Sequence, residues 1–152
     1  MRKIVATLTR TNGLLTRSLG LVMVFVFTVI LLAQLYTFDR FPEVISSVLG
    51  LPVEVASIIC GVIVLAELLS LPFLLNIPLS TLMRVLSVML GFGVLGFWAY
   101  VSLTIRNTLD PLQNTGIAGD TVFIPGGWWF VYYLAGLIVI YVWYSVRMVR
   151  SK

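Results

Sequence analysis

Four long apolar stretches, separated by shorter polar or mixed segments, dominate the chain. They run from Ser18 to Tyr36, Val53 to Leu75, Thr81 to Leu103 and Gly127 to Val146. Each is long enough for a helix, rising about 1.5 Å per residue, to cross a hydrocarbon core of about 30 Å. Because lipid offers no partner for an open strand edge, the stretches predict helices. The sequence therefore predicts an all-α, polytopic membrane protein with one domain, residues 1–152, folded as a four-transmembrane-helix bundle.

The connections between these stretches differ in length. Residues 37–52 mix apolar and polar side chains, which predicts a short interfacial helix or a re-entrant turn. The turn from Asn76 to Ser80 is tight, whereas Arg106 to Gly126 forms the longest loop. Residues 1–17 combine basic and apolar side chains. They suit either a short helix on an anionic membrane surface, broken at Asn12-Gly13, or ordinary flanking charge.

The basic residues predict the orientation of the spans. With four spans, eight of the ten Lys and Arg residues lie on one side of the membrane, and only Arg40 and Arg106 lie on the other. Lys and Arg are enriched on the cytoplasmic side of membrane proteins. We therefore expect both termini to be cytoplasmic, the loop 106–126 to be external, and the chain to be a multi-pass protein of the plasma (inner) membrane.

Aromatic residues cluster near both predicted boundaries. Rings that carry a polar group prefer headgroup depth, so they are expected to act as interfacial anchors, with an aromatic ligand-binding face as the alternative. The outer group comprises Tyr36, Trp98, Tyr100, Trp128, Trp129, Tyr132 and Tyr133, and the inner group comprises Tyr141, Trp143 and Tyr144.

Composition excludes several classes of protein. Of the 152 residues, 60% are hydrophobic and 11% charged, and mean hydropathy is +1.08, whereas soluble domains have about 25% charged residues. The net charge is +4, and the charged residues lie between apolar runs and form no nucleic-acid-binding face. Histidine is absent and Cys60 is the single cysteine, which argues against a His- or Cys-rich metal site, Ser-His-Asp catalysis and an internal disulfide. We expect no metal and no catalytic residues.

The string Gly91-Phe92-Gly93-Val94-Leu95-Gly96 matches GxGxxG but lies inside the third span, with no preceding strand. We interpret the string as a site of close helix packing, because small residues let the backbones of membrane helices approach each other. Cys60, inside the second span, is interpreted as a small packing residue.

Apart from Glu54 at the start of its stretch, Glu67 is the one acidic residue inside a predicted span. A charge at the centre of a lipid-facing helix costs about 2.5–3.5 kcal/mol, so the side chain should point into the bundle, either protonated or paired. Arg84, on the next helix, is the expected partner in an intramembrane polar pair, and Arg17 is a second possibility. Two roles stay open: a proton or ligand site, and half of a buried pair that sets helix register.

Several short motifs resemble the DoxX/MauE-type four-helix membrane proteins. Arg17 precedes the first helix, Phe41 lies in the connection LYTFDRFPEVISSVLGLP, and Glu67 lies in AELLSLPFLLNIPLSTLMR, ahead of the turn from Asn76 to Ser80. The resemblance covers most of the chain and implies the four-helix fold. MauE-like members also carry a Cys-x-Cys sequence before the last helix, where this chain has Thr115 and Ile117. The resemblance therefore does not extend to dithiol chemistry.

Two classes of function follow. The first is a non-catalytic integral membrane accessory or scaffold subunit, which packs against a larger membrane complex or an exported partner. The alternative, implied by the DoxX resemblance, is a quinone-binding or electron-transfer-associated subunit of a membrane oxidoreductase. A transporter or channel is a weaker third option. The expected partners are the lipid bilayer and other membrane subunits, with no cofactor unless the quinone alternative holds. The candidate contact residues are Asp110, Asp120, Trp128 and Trp129.

Overall fold

The computed structural model describes residues 2–107 and 114–150, with side chains for 16–105 and 114–148. These residues form five helices: α1 (Arg2–Tyr36), α2 (Phe41–Leu49), α3 (Val53–Leu74), α4 (Thr81–Asn107) and α5 (Trp128–Arg150). The four longer helices each contain a stretch long and apolar enough to cross a membrane, as predicted. Within the described ranges there is no strand, only an isolated bridge between Asn114 and Pro125. The all-helical class and the four candidate spans are thereby confirmed.

Three helix boundaries differ from the predictions. α1 is one continuous helix from Arg2, so the expected break at Asn12-Gly13 is wrong. Glycine inside a helix costs only about 1 kcal/mol relative to alanine, and the hydrogen bonds of the continuing helix can offset that cost. α4 also extends beyond Leu103 to Asn107, and α5 extends beyond Val146 to Arg150.

The connection between the first two spans contains the short helix α2. Pro42 lies in its first turn, where the missing N–H breaks no helical hydrogen bond. Gly50 ends the helix with φ +64°, a left-handed conformation that glycine adopts without strain. Phe41, Ile45 and Val48 are buried on one side of the helix. The helical alternative for residues 37–52 is therefore confirmed.

The four long helices pack in a ring around one apolar interior. α3 lies between α1 and α4, α4 contacts α5, and α5 closes the ring against α1. α2 packs on α3 and α4. We call the end of the bundle that carries α2 and residues 114–127 the cap end.

The interior also contains three aromatic residues that were expected to be interfacial anchors. Trp98, Tyr141 and Tyr144 are buried. The Tyr141 hydroxyl donates to the Val88 carbonyl at 3.2 Å, and the Tyr144 hydroxyl donates to the Leu74 carbonyl at 2.9 Å. The anchor interpretation is wrong for these three rings, because each polar group finds a partner inside the protein. The exposed members of the two groups are Tyr36, Tyr100, Trp128, Trp129, Tyr132 and Tyr133.

The glycines of the GxGxxG string have different surroundings. A Cβ added to Gly91 would overlap the Tyr141 hydroxyl, so this glycine permits close packing of α4 and α5. A Cβ added to Gly93 or Gly96 would meet nothing within 4 Å. The packing interpretation is therefore confirmed for Gly91 and wrong for the other two glycines within this chain.

Candidate functional site

Glu67 lies at the centre of a group of buried polar atoms. Its side chain is 1% exposed. Its Oε1 accepts hydrogen bonds from Trp98 Nε1 at 3.4 Å and from Gln34 Nε2 at 3.3 Å. The Gln34 amide also donates to the Ile117 carbonyl at 2.9 Å. We call Gln34, Glu67, Trp98 and the Ile117 carbonyl the polar cluster.

Several elements position this cluster. Gln34 lies close to the end of α1, Glu67 lies in α3 and Trp98 lies in α4. The Trp98 ring stacks on Phe41 of α2, with ring centroids 6.4 Å apart. Phe41 and Glu67, two residues on which the family resemblance rests, therefore both contact the same indole ring, Phe41 at its face and Glu67 at its N–H edge.

The loop before α5 completes the cluster from the cap end. The Asn114 side-chain oxygen accepts hydrogen bonds from the backbone N–H groups of Gly116 and Ile124, each at 3.2 Å. Gly116 has φ +74°, and the loop turns so that the Thr115 and Ile117 side chains are buried. This turn directs the Ile117 carbonyl towards the Gln34 amide.

A second contact holds the same loop to the end of α1. The Asp120 backbone N–H donates to Thr37 Oγ1 at 2.9 Å. Gly119 has φ +59°, and a Cβ at this position would overlap the Thr37 hydroxyl. The loop thus lies close against α1 because glycine leaves room for the contact.

The predicted pair between Glu67 and Arg84 is not formed. The ion pairs among the described side chains join Arg40 to Asp39 and to Asp120, and none includes Glu67. Arg84 lies fourteen residues before Trp98, or about 21 Å along α4, so its side chain cannot reach the carboxyl that Trp98 contacts. Arg17 lies about 25 Å along α1 from Gln34, which excludes the second possibility for the same reason. Neutral N–H donors take the place of the expected cation.

The cluster leaves some of its polar atoms without a protein partner. Glu67 Oε2, Gln34 Oε1 and the nearby Thr115 Oγ1 are buried and accept or donate no hydrogen bond. Most buried polar atoms in proteins are hydrogen-bonded, so these oxygens need a physical explanation. A cavity of about 10 Å³ lies beside Glu67 and is lined mainly by apolar side chains, including Ile30, Ile117 and Leu134. This volume is about the room that one water molecule requires.

Two larger cavities open on the sides of the bundle. We call the first, of about 370 Å³, the α1–α5 groove; it lies between α1, the loop and α5 and includes Phe25, Ile30, Ile117 and Trp129 in its lining. We call the second, of about 350 Å³, the α3–α4 groove; it includes Ile58 and Met89. Both are lined almost entirely by apolar side chains.

The other predicted contact residues lie apart from the polar cluster. Asp110 is outside the described residues. Asp120 is exposed, and its carboxylate lies 3.8 Å from the Arg40 guanidinium. Trp128 and Trp129 are about half exposed at the start of α5, and Trp129 lines the α1–α5 groove. Cys60 is buried, in agreement with its interpretation as a packing residue.

Sequence reasoning missed Gln34 and Trp98. Gln34 is the one amide side chain in the first apolar stretch, and a lone amide among apolar residues indicates a side chain that faces the interior of the bundle. Trp98 gave no such signal, because a tryptophan near a span boundary is typical of an interfacial anchor.

Neither a resident metal nor a known family is indicated. In the described part of the chain, no three His, Cys, Asp or Glu side chains come together in a way that could hold a metal ion. No protein-family model matches the chain, and no curated protein or solved structure is significantly similar to it. The resemblance to DoxX/MauE-type proteins therefore stays a prediction.

Proposed function

We propose that this protein is a non-catalytic integral membrane subunit that packs through its apolar helix faces against the transmembrane helices of a larger complex. The observation that carries the proposal is the contrast between a closed interior, which leaves almost no room beside its few polar groups, and open apolar sides. The cavity beside Glu67 has room for about one water, whereas both large grooves face outward and are apolar. The surfaces suited to binding are thus those that meet lipid or another helix.

In this proposal the polar cluster has a structural role. It joins α1, α3, α4 and the loop before α5 through three hydrogen bonds, all of them buried. Hydrogen bonds between membrane helices contribute about 0.6–2 kcal/mol each, and they fix which residues face each other. The cluster would hold the bundle as a rigid body that presents constant outer faces.

Photo-crosslinking in native membranes tests this function. A photoreactive residue replaces Phe25 in the α1–α5 groove or Ile58 in the α3–α4 groove, with exposed Glu54 at the start of α3 as the matched control. We expect a crosslink to one defined membrane protein from one groove and none from Glu54. Crosslinks to lipid alone from both grooves would contradict the subunit proposal.

We also propose that both termini are cytoplasmic and that the protein lies in the plasma membrane, on the basis of the asymmetry in Lys and Arg. Single cysteines replace exposed Phe123 or Ser151, which precedes Lys152, in a Cys60→Ala background. An impermeant thiol reagent applied to intact cells should label the cysteine at 123 and spare the one at 151. The reverse pattern would invert the topology.

A second candidate is the quinone-binding subunit. The observation that favours it is that Ile30 and Ile117 line both the α1–α5 groove and the Glu67 cavity, so a lipophilic ligand in the groove would lie close to the polar cluster. Protein purified in native lipid should then retain stoichiometric quinone, and Ile117→Trp should release it. Purified protein free of quinone, together with a defined protein crosslink, would favour the first candidate.

A further inference from the structure

Both hydrogen-bond donors that reach the Glu67 carboxyl point to the same oxygen. Trp98 Nε1 and Gln34 Nε2 lie 3.4 and 3.3 Å from Oε1, whereas Oε2 is buried without a partner. An ionised carboxylate accepts hydrogen bonds at both oxygens, but a protonated carboxyl has one accepting carbonyl oxygen and one donating hydroxyl. The one-sided arrangement fits the protonated form, with Oε1 as the carbonyl oxygen.

The lack of charged groups around the Glu67 carboxyl leads to the same inference. The cavity lining includes Ile30 from α1, Trp98 from α4, Ile117 from the loop and Leu134 from α5, and the remaining lining side chains are uncharged as well. Among the described side chains, no charged or titratable group from any of these elements faces Glu67, and no ion pair includes it. A carboxylate without a cation is costly in such a position, whereas a neutral acid is not.

We propose that Glu67 is a buried proton-binding site: a neutral carboxylic acid that carries its proton on Oε2 and can be modified by lipophilic carbodiimides arriving from the bilayer. This inference goes beyond the subunit function, because it assigns a ligand, the proton, and a reactive site inside the bundle.

The route from lipid to the carboxyl is short. Ile30 of α1 and Ile117 of the loop line the α1–α5 groove on one side and the Glu67 cavity on the other. The barrier between bilayer and carboxyl is therefore one layer of side chains. A lipophilic reagent in the groove reaches Glu67 when these two side chains change rotamer.

The modification follows from the chemistry of a protonated acid. The Oε2 proton moves to one carbodiimide nitrogen, and a carboxyl oxygen forms a bond to the central carbon, which gives an O-acylisourea. In the dry interior the acyl group then shifts to nitrogen and leaves a stable N-acylurea. No atom is lost, so the product has the mass of the protein plus one whole reagent molecule. At an exposed carboxylate the proton comes from solvent, and water then cleaves the O-acylisourea to the original carboxylate and a free urea, so no added mass remains.

Infrared difference spectroscopy tests the proton. Wild type minus Glu67→Gln in native lipid should show the carbonyl stretch of a protonated carboxylic acid, and Glu54→Gln, which removes an exposed acid, should leave that band in place. Trp98→Phe should raise the frequency of the band, because Oε1 loses one of its two donors. A difference spectrum with only ionised carboxylate bands would overturn the proposal, and an unchanged frequency in Trp98→Phe would overturn the assignment to Oε2.

Carbodiimide labelling tests access. Dicyclohexylcarbodiimide should add one reagent mass, which peptide analysis places at Glu67, in wild type and Glu54→Gln but not in Glu67→Gln. A water-soluble carbodiimide should leave Glu67 unmodified. Ile117→Trp, which adds bulk to the barrier, should slow the lipophilic reagent several-fold. Absence of a Glu67 adduct in wild type would overturn lipid access, and equal labelling by the water-soluble reagent would replace the bilayer route with an aqueous one.

Discussion

The hydrogen bond between Gln34 and Glu67 can be measured by a double-mutant cycle. Gln34→Met and Glu67→Met each replace a polar side chain by an unbranched apolar one of similar length, so volume is nearly kept while the hydrogen bonds are lost. The Gln34 amide makes two bonds, to Glu67 Oε1 and to the Ile117 carbonyl. At about 0.5–1.5 kcal/mol each, Gln34→Met should reduce the free energy of unfolding by about 1–3 kcal/mol.

The cycle isolates one of these bonds. Each single mutant loses the hydrogen bond between the two residues, and the double mutant loses the same bond only once. The sum of the two single effects should therefore exceed the effect of the double mutant by a coupling energy of about 0.5–1.5 kcal/mol. The matched control pairs Glu67→Met with Arg84→Met. Because Arg84 lies about 21 Å along α4 from the Trp98 position, the control should be additive within about 0.3–0.5 kcal/mol.

The assay is reversible unfolding in mixed micelles, followed by a probe of helix content, with each variant first shown to be monodisperse. A coupling near zero for Gln34 and Glu67 would refute the hydrogen bond as an energetic contact. A coupling above about 1 kcal/mol for Glu67 and Arg84 would show that the polar pair expected from sequence forms in the membrane.

Glycine substitutions test two close contacts. Gly91→Ala places a methyl group against the Tyr141 hydroxyl and should destabilise the bundle by about 1–3 kcal/mol in the same unfolding assay, whereas Gly93→Ala, with open space around it, should be neutral or slightly stabilising. Equal effects would contradict the packing of α4 on α5. At the cap end, Gly119→Ala adds a clash with α1 to the strain of a left-handed residue, while Gly50→Ala has the strain alone. Hydrogen exchange in residues 114–120 should therefore rise in Gly119→Ala and stay unchanged in Gly50→Ala, and protection that survives in Gly119→Ala would argue against the docked loop.

Part of the candidate site could be predicted from the sequence. The sequence predicts that Glu67 points into the bundle, because an acidic residue in the middle of an apolar stretch is costly in lipid, and the side chain is buried there. Its partners could not be identified in the same way. The sequence favours Arg84 because its opposite charge lies on an adjacent helix, but charge complementarity says nothing about axial distance. Long side chains from Gln34 and Trp98 reach the carboxyl at a level that Arg84 cannot approach.

The sequence by itself determined the number of long helices and the approximate bounds of the stretches in them that could cross a membrane. Each apolar stretch can be recognised on its own, because its length and hydropathy alone decide whether a helix can cross a bilayer. Only the tertiary structure decided which aromatic rings face the interior and which face lipid. Trp98, Tyr141 and Tyr144 are residue types typical of interfacial anchors. Each is nevertheless buried, and its N–H or O–H group donates a hydrogen bond to an acceptor on another helix. Such a partner is set by the relative rotation and depth of two helices, which depend on packing across the whole bundle rather than on any one segment.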